Sequence, residues 1–138
     1  MTTPIDKTVL AATLVEAAAN ATGIQPLTNT WPDLDADTAY EIQDAVVQAR
    51  VDAGRVIVGA KTGLTSAAKQ KQMNVGEPLS GILTDDMQID VGEPLVCSRF
   101  IQPRCEVEIA FLLSSDLEGP GVTASDVNTV APFACVTP

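Results

Sequence analysis

The hydrophobic pattern changes its period at Gly54, and this change constrains the fold more than any other feature of the sequence. Residues 5–22 and residues 37–53 place apolar side chains three or four positions apart, which predicts two amphipathic helices. Beyond Gly54, β-branched residues occur in short runs separated by glycine and proline, which predicts strands. The predicted class is therefore α+β, with a helical region at residues 1–54 and a β-rich region at residues 55–138.

The β-rich region is predicted to contain four short strands and two short helices. The strands are expected at residues 55–60, 82–83, 95–97 and 104–113. One helix is expected at residues 67–73 with Ser66 as its N-cap, and another after Thr123, with Asp126 in the acidic position of a capping box. Along residues 104–113, strand alternation predicts one apolar face made of Cys105, Val107, Ile109, Phe111 and Leu113.

The absence of histidine limits the chemistry that this chain can perform by itself. Serine–histidine and cysteine–histidine nucleophiles are excluded within the chain, and so are imidazole metal ligands. Acid–base chemistry would have to use carboxylates, lysine, Tyr40 or metal-bound water. A metal ion would be held by oxygen ligands, which favours Mg²⁺ or Mn²⁺ over zinc.

Charge and apolar content indicate the surroundings of the protein. With 18 acidic and 8 basic residues, the formal charge of −10 argues against nucleic-acid binding. No apolar stretch is long enough to span a bilayer, and the N-terminus lacks signal-peptide features, so we expect a cytoplasmic protein with no membrane partner. Cys97, Cys105 and Cys135 lack the spacing of a zinc or redox motif, and we expect them to be small buried side chains.

Glu106 and Glu108 are the first candidate site residues, because two positions along a strand place both side chains on one face. Their Cα atoms would lie roughly 6.5–7 Å apart, close enough for both carboxylates to reach one cation. Two such carboxylates would repel each other unless a cation or Arg104 neutralised them. The alternative is an ordinary solvent-facing edge of a half-buried strand.

Lys61 is the second candidate, since it follows an apolar strand and could orient a substrate carboxylate or take part in proton transfer. The alternative is a surface lysine. Asp85 and Asp86 follow another short strand, but adjacent residues on an extended segment face opposite ways, so we interpret them as turn residues.

Four motifs in order resemble the hydratase and decarboxylase branch of the fumarylacetoacetate hydrolase superfamily. They are GAKTGLTS at residues 59–66, KQKQMNV at 69–75, GILTDDM at 81–87 and FIQPRCEVEIAF at 100–111. The resemblance implies N-terminal helices packed on the start of a mixed β-roll. It also implies that Glu106 and Glu108 are two of three carboxylate ligands of Mg²⁺ or Mn²⁺, and that Lys61 is the active-site lysine.

Within this branch, the resemblance favours a decarboxylase that converts 2-oxo-3-hexenedioate to 2-hydroxypenta-2,4-dienoate and CO₂ during the meta-cleavage degradation of aromatic compounds. The alternative is a hydratase of 2-hydroxypenta-2,4-dienoate. Hydratases usually carry an Asp-Phe-Gly-like turn where this chain has Leu79, Ser80 and Gly81. Two residues depart from the decarboxylase pattern, namely Thr62 after the lysine and Gln102 before the Pro-Arg pair. These departures leave the identity of the substrate open.

The resemblance also implies that only the N-terminal half of a family member is present, because the third glutamate ligand would lie beyond Pro138. We therefore expect a truncated form that is inactive or weakly active alone and whose strand at residues 104–113 exposes its apolar face. The expected partners are a small 2-oxo acid and further copies of the chain in a homo-oligomer, with a paralogous hydratase as a further candidate. A non-enzymatic alternative is an inactive remnant that serves as a binding or oligomerisation module.

Overall fold

The computed structural model of the protein describes residues 4–130 and 133–137, and it describes side chains for residues 4–127. The helices are α1 (Lys7–Ala19), α2 (Ala36–Asp52), α3 (Ala67–Met73) and α4 (Ala124–Val130), and the strands are β1 (Ile57–Gly63), β2 (Leu79–Thr84), β3 (Glu108–Leu112) and β4 (Phe133–Thr137). The predicted α+β class is confirmed, while the β-roll stays a prediction. No helix in the described part of the chain is long and apolar enough to cross a membrane.

Packing divides the chain into an N-terminal unit, Met1–Ile101, and a C-terminal unit, Gln102–Pro138. The change at Gly54 is therefore a change of secondary structure inside the N-terminal unit. α1 packs against α2, and α2 contacts β2.

α1 begins where Asp6 caps it, with the side-chain oxygen accepting from the backbone N–H groups of Thr8 and Val9 at 3.1 Å. Such a cap satisfies N–H groups that lack a partner in the first helical turn. Leu10 and Ala17 are buried on the face predicted to be apolar, whereas Val9 is exposed. The predicted helix is confirmed with slightly shorter ends.

α2 is capped by Asp35, which accepts from the Thr38 N–H at 2.8 Å. Ile42 is 2% exposed and is the largest fully buried apolar side chain of the described structure. The helix ends before Gly54, whose φ of +89° is a left-handed conformation that glycine adopts without a steric penalty. Gly54 is thus the terminator that the sequence predicts.

β1 and β2 form an antiparallel two-stranded sheet in which Lys61 pairs with Gly81. β1 begins two residues later than the predicted strand at 55–60 and ends three residues further on, and β2 is longer than the predicted 82–83. Each strand provides hydrogen-bonding partners for the other beyond the residues with the strongest strand propensity. The phenolic oxygen of Tyr40 on α2 accepts from the Ser80 N–H at 3.1 Å and ties the helix to the sheet.

Asp85 and Asp86 form a 3-10 turn directly after β2, as predicted, and they also hold neighbouring elements. Asp85 accepts from the Val56 N–H at 2.9 Å, and Asp86 accepts from Arg50 Nη1 at 3.0 Å. The fully buried Thr84 donates its hydroxyl to Asp86 at 2.6 Å. This bond, together with the positive charges of Arg50 and Arg55, holds the pKa of Asp86 below its ordinary value.

The C-terminal unit contains an antiparallel pair, with Glu108 opposite Thr137 and Leu112 opposite Phe133. The predicted strand at residues 104–113 is shorter in the structure because β4 pairs only with residues 108–112. In the first turn of α4, Asp126 accepts from both the N–H and the hydroxyl of Thr123, at 2.8 and 2.6 Å. The acidic half of the predicted capping box is confirmed, whereas the Asp126 N–H donates to the backbone carbonyl of Thr123 and not to its hydroxyl.

Two further predictions are wrong. Residues 95–97 do not form a strand; Pro94 lacks an N–H for a ladder, and a 3-10 helix, Cys97–Arg99, follows. Cys97 and Cys105 are free thiols on exposed residues, because neither lies on a covered apolar surface. The side chain of Cys135 lies outside the described residues.

Candidate active site

Lys61 lies inside β1 rather than after its end, since the strand continues to Gly63. The antiparallel register places Lys61 opposite Gly81 of β2. Its side chain belongs to an exposed residue, so the ammonium group is available to a ligand. The strand supplies a fixed backbone for this lysine, which is a requirement for positioning a substrate group.

Gly81 leaves room for two polar side chains at one place. A Cβ atom at Gly81 would lie 3.5 Å from Lys61 Cγ and 3.8 Å from Gln43 Oε1. The stem of Lys61 and the amide of Gln43 therefore approach the same glycine from β1 and from α2. Sequence reasoning missed Gln43, and no local motif around it could have indicated this position, because the approach arises from the packing of α2 against β2.

The loop after Lys61 has a constrained conformation. Leu64 has a φ of +54°, which is uncommon for a residue with a side chain, and its carbonyl accepts from Gln70 Nε2 at 2.8 Å. Ser66 then caps α3 by accepting from the Lys69 N–H at 3.3 Å, which confirms the predicted N-cap. The two bonds hold the segment between β1 and α3 in one arrangement.

Glu106 and Glu108 do not share a strand, which corrects the sequence prediction. Glu108 is the first residue of β3, whereas Glu106 lies in the irregular segment before it. The reason is that β4 offers a ladder partner only from Glu108 onward. Both glutamates are exposed and belong to the C-terminal unit, whereas Lys61 belongs to the N-terminal unit.

The donor chemistry of these two glutamates suits a hard divalent cation. Carboxylate oxygens are the ligands that Mg²⁺ and Mn²⁺ prefer, and neither glutamate forms an ion pair with a residue that the structure describes. Among the described residues, however, no group of three or more aspartate, glutamate, cysteine or histidine side chains is placed to hold a metal. Glu106 and Glu108 would thus be part of a ligand set that needs a further member.

Comparison with known proteins identifies related enzymes, although no protein-family model matches the chain. A 2-hydroxypent-2,4-dienoate hydratase from Pseudomonas putida is 40% identical over 138 residues, covering 97% of this chain and 61% of the relative. A 2-oxo-hept-4-ene-1,7-dioate hydratase from Escherichia coli is 38% identical over 87% of this chain and 45% of the relative.

Solved structures of 4-oxalocrotonate decarboxylase from Pseudomonas putida G7 match with a TM-score of 0.83 and 35% identity. One contains calcium and acetate, and the other contains magnesium and adipate. The match to the calcium complex covers 90% of this chain and 48% of the decarboxylase.

These matches confirm the family expected from the four motifs. The chain spans about half the length of the relatives that it matches, between 45% and 61% in the two hydratases described above. The chain is therefore a member of the hydratase and decarboxylase branch of the fumarylacetoacetate hydrolase superfamily, and it corresponds to the N-terminal half of those enzymes.

Proposed function

We propose that this chain carries active-site residues of a metal-assisted carbon–carbon lyase that decarboxylates a small unsaturated 2-oxo acid, with 2-oxo-3-hexenedioate as its substrate. The observation that carries the proposal is the match to 4-oxalocrotonate decarboxylase over 90% of this chain, with a TM-score of 0.83 at 35% identity. The exposed lysine on a rigid strand supports it, because a dicarboxylate substrate needs a fixed positive charge.

The chemistry requires a place for an electron pair. Breaking the bond between C5 and the distal carboxylate releases CO₂ and leaves the electron pair on C5. That pair is delocalised through the C3–C4 double bond onto the 2-oxo oxygen, and protonation of this oxygen gives 2-hydroxypenta-2,4-dienoate. A divalent cation bound by Glu106 and Glu108 would supply Lewis-acid stabilisation of the negative charge on that oxygen.

Lys61 has two compatible roles in this reaction. Its ammonium group can orient a substrate carboxylate by charge, and it can donate or accept a proton at its Nζ atom. Gln43 Oε1, which approaches the same glycine, can accept a hydrogen bond from that ammonium group and so position it. Gln43 is in this sense a positioning residue.

Hydration is the second candidate reaction. It is favoured by the 38–40% identity to the two hydratases described above, one of which is named for a dicarboxylate and the other for a dienoate. Adding water to 2-hydroxypenta-2,4-dienoate would use the same residues, because the same oxygen carries the developing negative charge.

The test uses this chain joined to the C-terminal half of the matched decarboxylase, because Glu106 and Glu108 need a further ligand. Each substrate is supplied in turn in the presence of Mg²⁺ or Mn²⁺, and the 138-residue chain alone should be inactive or only weakly active. Release of CO₂ measures decarboxylation, and loss of the ultraviolet absorbance of the conjugated dienoate measures hydration. We expect decarboxylation that requires the cation, with a loss of about 100-fold or more for Lys61→Met. Lys71→Met, a change at an exposed lysine of α3, is the matched control and should retain activity.

The proposed metal ligands have their own readout. Equilibrium dialysis should show Mn²⁺ binding that is weakened by Glu106→Gln and by Glu108→Gln. Retained binding in both variants would overturn the ligand assignment. An absence of turnover of both substrates by the joined chain would overturn the enzymatic proposal for this chain and favour the binding or oligomerisation module, for which light scattering after size-exclusion chromatography gives the oligomeric state.

A further inference from the structure

A cleft of about 630 Å³ lies in the N-terminal unit, between the C-terminal ends of α1 and α2 and the 3-10 turns that follow β2 and precede Ile101. Its volume is within the range of roughly 300–1,000 Å³ that is typical of small-molecule sites. Lys61 does not line this cleft. The residues that line the cleft are therefore separate from those of the candidate active site.

The cleft is positively charged in a strongly acidic chain. Arg50, Arg55 and Arg99 line it, and they are three of the four arginines in the sequence. Asp86 is the acidic residue that lines it with them. In a chain of formal charge −10, such a concentration of guanidinium groups creates a local field that attracts anions.

The three guanidinium groups retain unused hydrogen-bond donors. Arg50 donates from Nη1 to Asp86, but its Nε is buried and has no acceptor among the described residues. Arg55 lies 3.9 Å from Asp85 and from Asp86, which is too far for a hydrogen bond. Arg99 forms no ion pair with any residue of the described structure.

Most of the remaining wall of the cleft is apolar, and the polar residues Asn20 and Ser98 also line it. Alanines at the C-terminal ends of the two helices line it, including Ala18, Ala49 and Ala53, together with Met87 and Phe100. These alanines occupy exposed positions at the ends of α1 and α2. A ligand that contacts both the arginines and the apolar residues of the cleft needs an anionic end and a hydrocarbon body.

We propose that this cleft binds a small aliphatic carboxylate, with the carboxylate on Arg99 and Arg55 and the carbon chain against the helix alanines. Guanidinium and carboxylate groups match in geometry and form charge-assisted hydrogen bonds. Inorganic phosphate offers the charge without the hydrocarbon body, so the apolar wall favours the carboxylate.

The test is a titration of the chain with hexanoate, followed by nuclear magnetic resonance of ¹³C-labelled alanine methyl groups in the presence of EDTA. We expect saturable shifts at Ala18, Ala49 and Ala53. Ala67 and Ala68 of α3 do not line the cleft and should not shift. Hexan-1-ol and inorganic phosphate serve as the uncharged and the purely anionic probes, and both should bind more weakly.

Arg99→Gln is the informative variant, because its side chain has no described partner and its loss should leave the fold intact. It should weaken hexanoate binding by about tenfold or more. Arg104→Gln removes the fourth arginine, which belongs to the C-terminal unit, and should leave the affinity for hexanoate unchanged. Circular dichroism verifies that both variants fold.

Three outcomes would overturn the proposal. They are the absence of saturable shifts at the three cleft alanines, equal hexanoate affinity in Arg99→Gln and the unaltered chain, and binding of hexan-1-ol or phosphate as tight as that of hexanoate. Each can occur whether or not the chain is a lyase, so the outcome is independent of the proposed function.

Discussion

The two units of this protein differ in what surrounds their apolar side chains. In the N-terminal unit, Leu10, Ala17 and Ile42 are buried because α1 and α2 cover each other. In the C-terminal unit, none of the described side chains at residues 102–127 is buried. On β3, Ile109 is 67% exposed and Phe111 is 53% exposed.

The difference shows what each kind of element needs in order to bury its apolar face. Two amphipathic helices joined by a loop can pack on each other, so a local sequence suffices to form a small core. A two-stranded antiparallel pair has no second layer and is marginal in water unless another surface covers it. We therefore expect most of the stability of this chain to lie in the N-terminal unit.

The largest effect is expected from Ile42→Ala. Truncating a fully buried isoleucine removes apolar burial and leaves a cavity, and it typically costs about 2–5 kcal/mol in the free energy of unfolding. Urea denaturation monitored by the fluorescence of Trp31, the single tryptophan, measures this loss in the N-terminal unit. Ile109→Ala is the matched control and should cost less than about 0.5 kcal/mol. Equal losses of unfolding free energy in Ile42→Ala and Ile109→Ala would contradict the inferred difference in apolar burial between the two units.

An intermediate effect is expected from Asp86→Asn, which removes the charge that Arg50 and Arg55 share. We expect a loss of about 1 kcal/mol at neutral pH, because the carboxylate is only partly shielded from solvent. Since the pKa of Asp86 is lowered in the folded state, its contribution is complete above about pH 4 and is lost as the pH falls through the folded-state pKa.

Urea denaturation between pH 2 and pH 7 measures the free energy of unfolding as a function of pH. Asp86→Asn should reduce the decrease of this free energy at acidic pH. The matched control is Asp126→Asn in the C-terminal unit, where the Thr123 hydroxyl lowers the pKa of the carboxyl in the same direction. That control should leave the Trp31 transition unchanged. A pH dependence that survives Asp86→Asn in full would contradict the assignment.

The smallest effect is expected from removing one hydroxyl at the start of each seven-residue helix. Ser66→Ala in the N-terminal unit should cost about 0.5–1 kcal/mol in the Trp31 transition. Thr123→Ala in the C-terminal unit should reduce the helical circular dichroism of α4 and leave that transition in place. A shift of the Trp31 midpoint in Thr123→Ala would mean that the two units unfold together.

Helices and several of their end signals could be predicted from the sequence because these signals are local. Gly54, Ser66 and the Thr123–Asp126 pair each act within a few residues, and the structure confirms the first two and the acidic half of the pair. Strand limits could not be predicted in this way, because a strand extends only as far as its partner. The residues before Glu108 have strand propensity but no ladder partner in the described structure.

The candidate site shows the same difference between local sequence signals and features that depend on distant residues. Lys61 could be found from its motif, and the sequence placed it close to the end of a strand. Gln43 could not be found, since its approach to Gly81 depends on how α2 packs on β2. The cleft arginines are also distant in sequence, and only folding brings Arg99 near the ends of the two helices.

The bond between Tyr40 and Ser80 also bears on aggregation. Because the Ser80 N–H donates to Tyr40, it points away from β1, toward the open edge of the two-stranded sheet. Unpaired N–H groups at such an edge can recruit a strand from another molecule. Because Tyr40 accepts this hydrogen bond, the Ser80 N–H is not available to a strand of another molecule. The helix that packs on the sheet therefore also reduces intermolecular β-pairing at its edge.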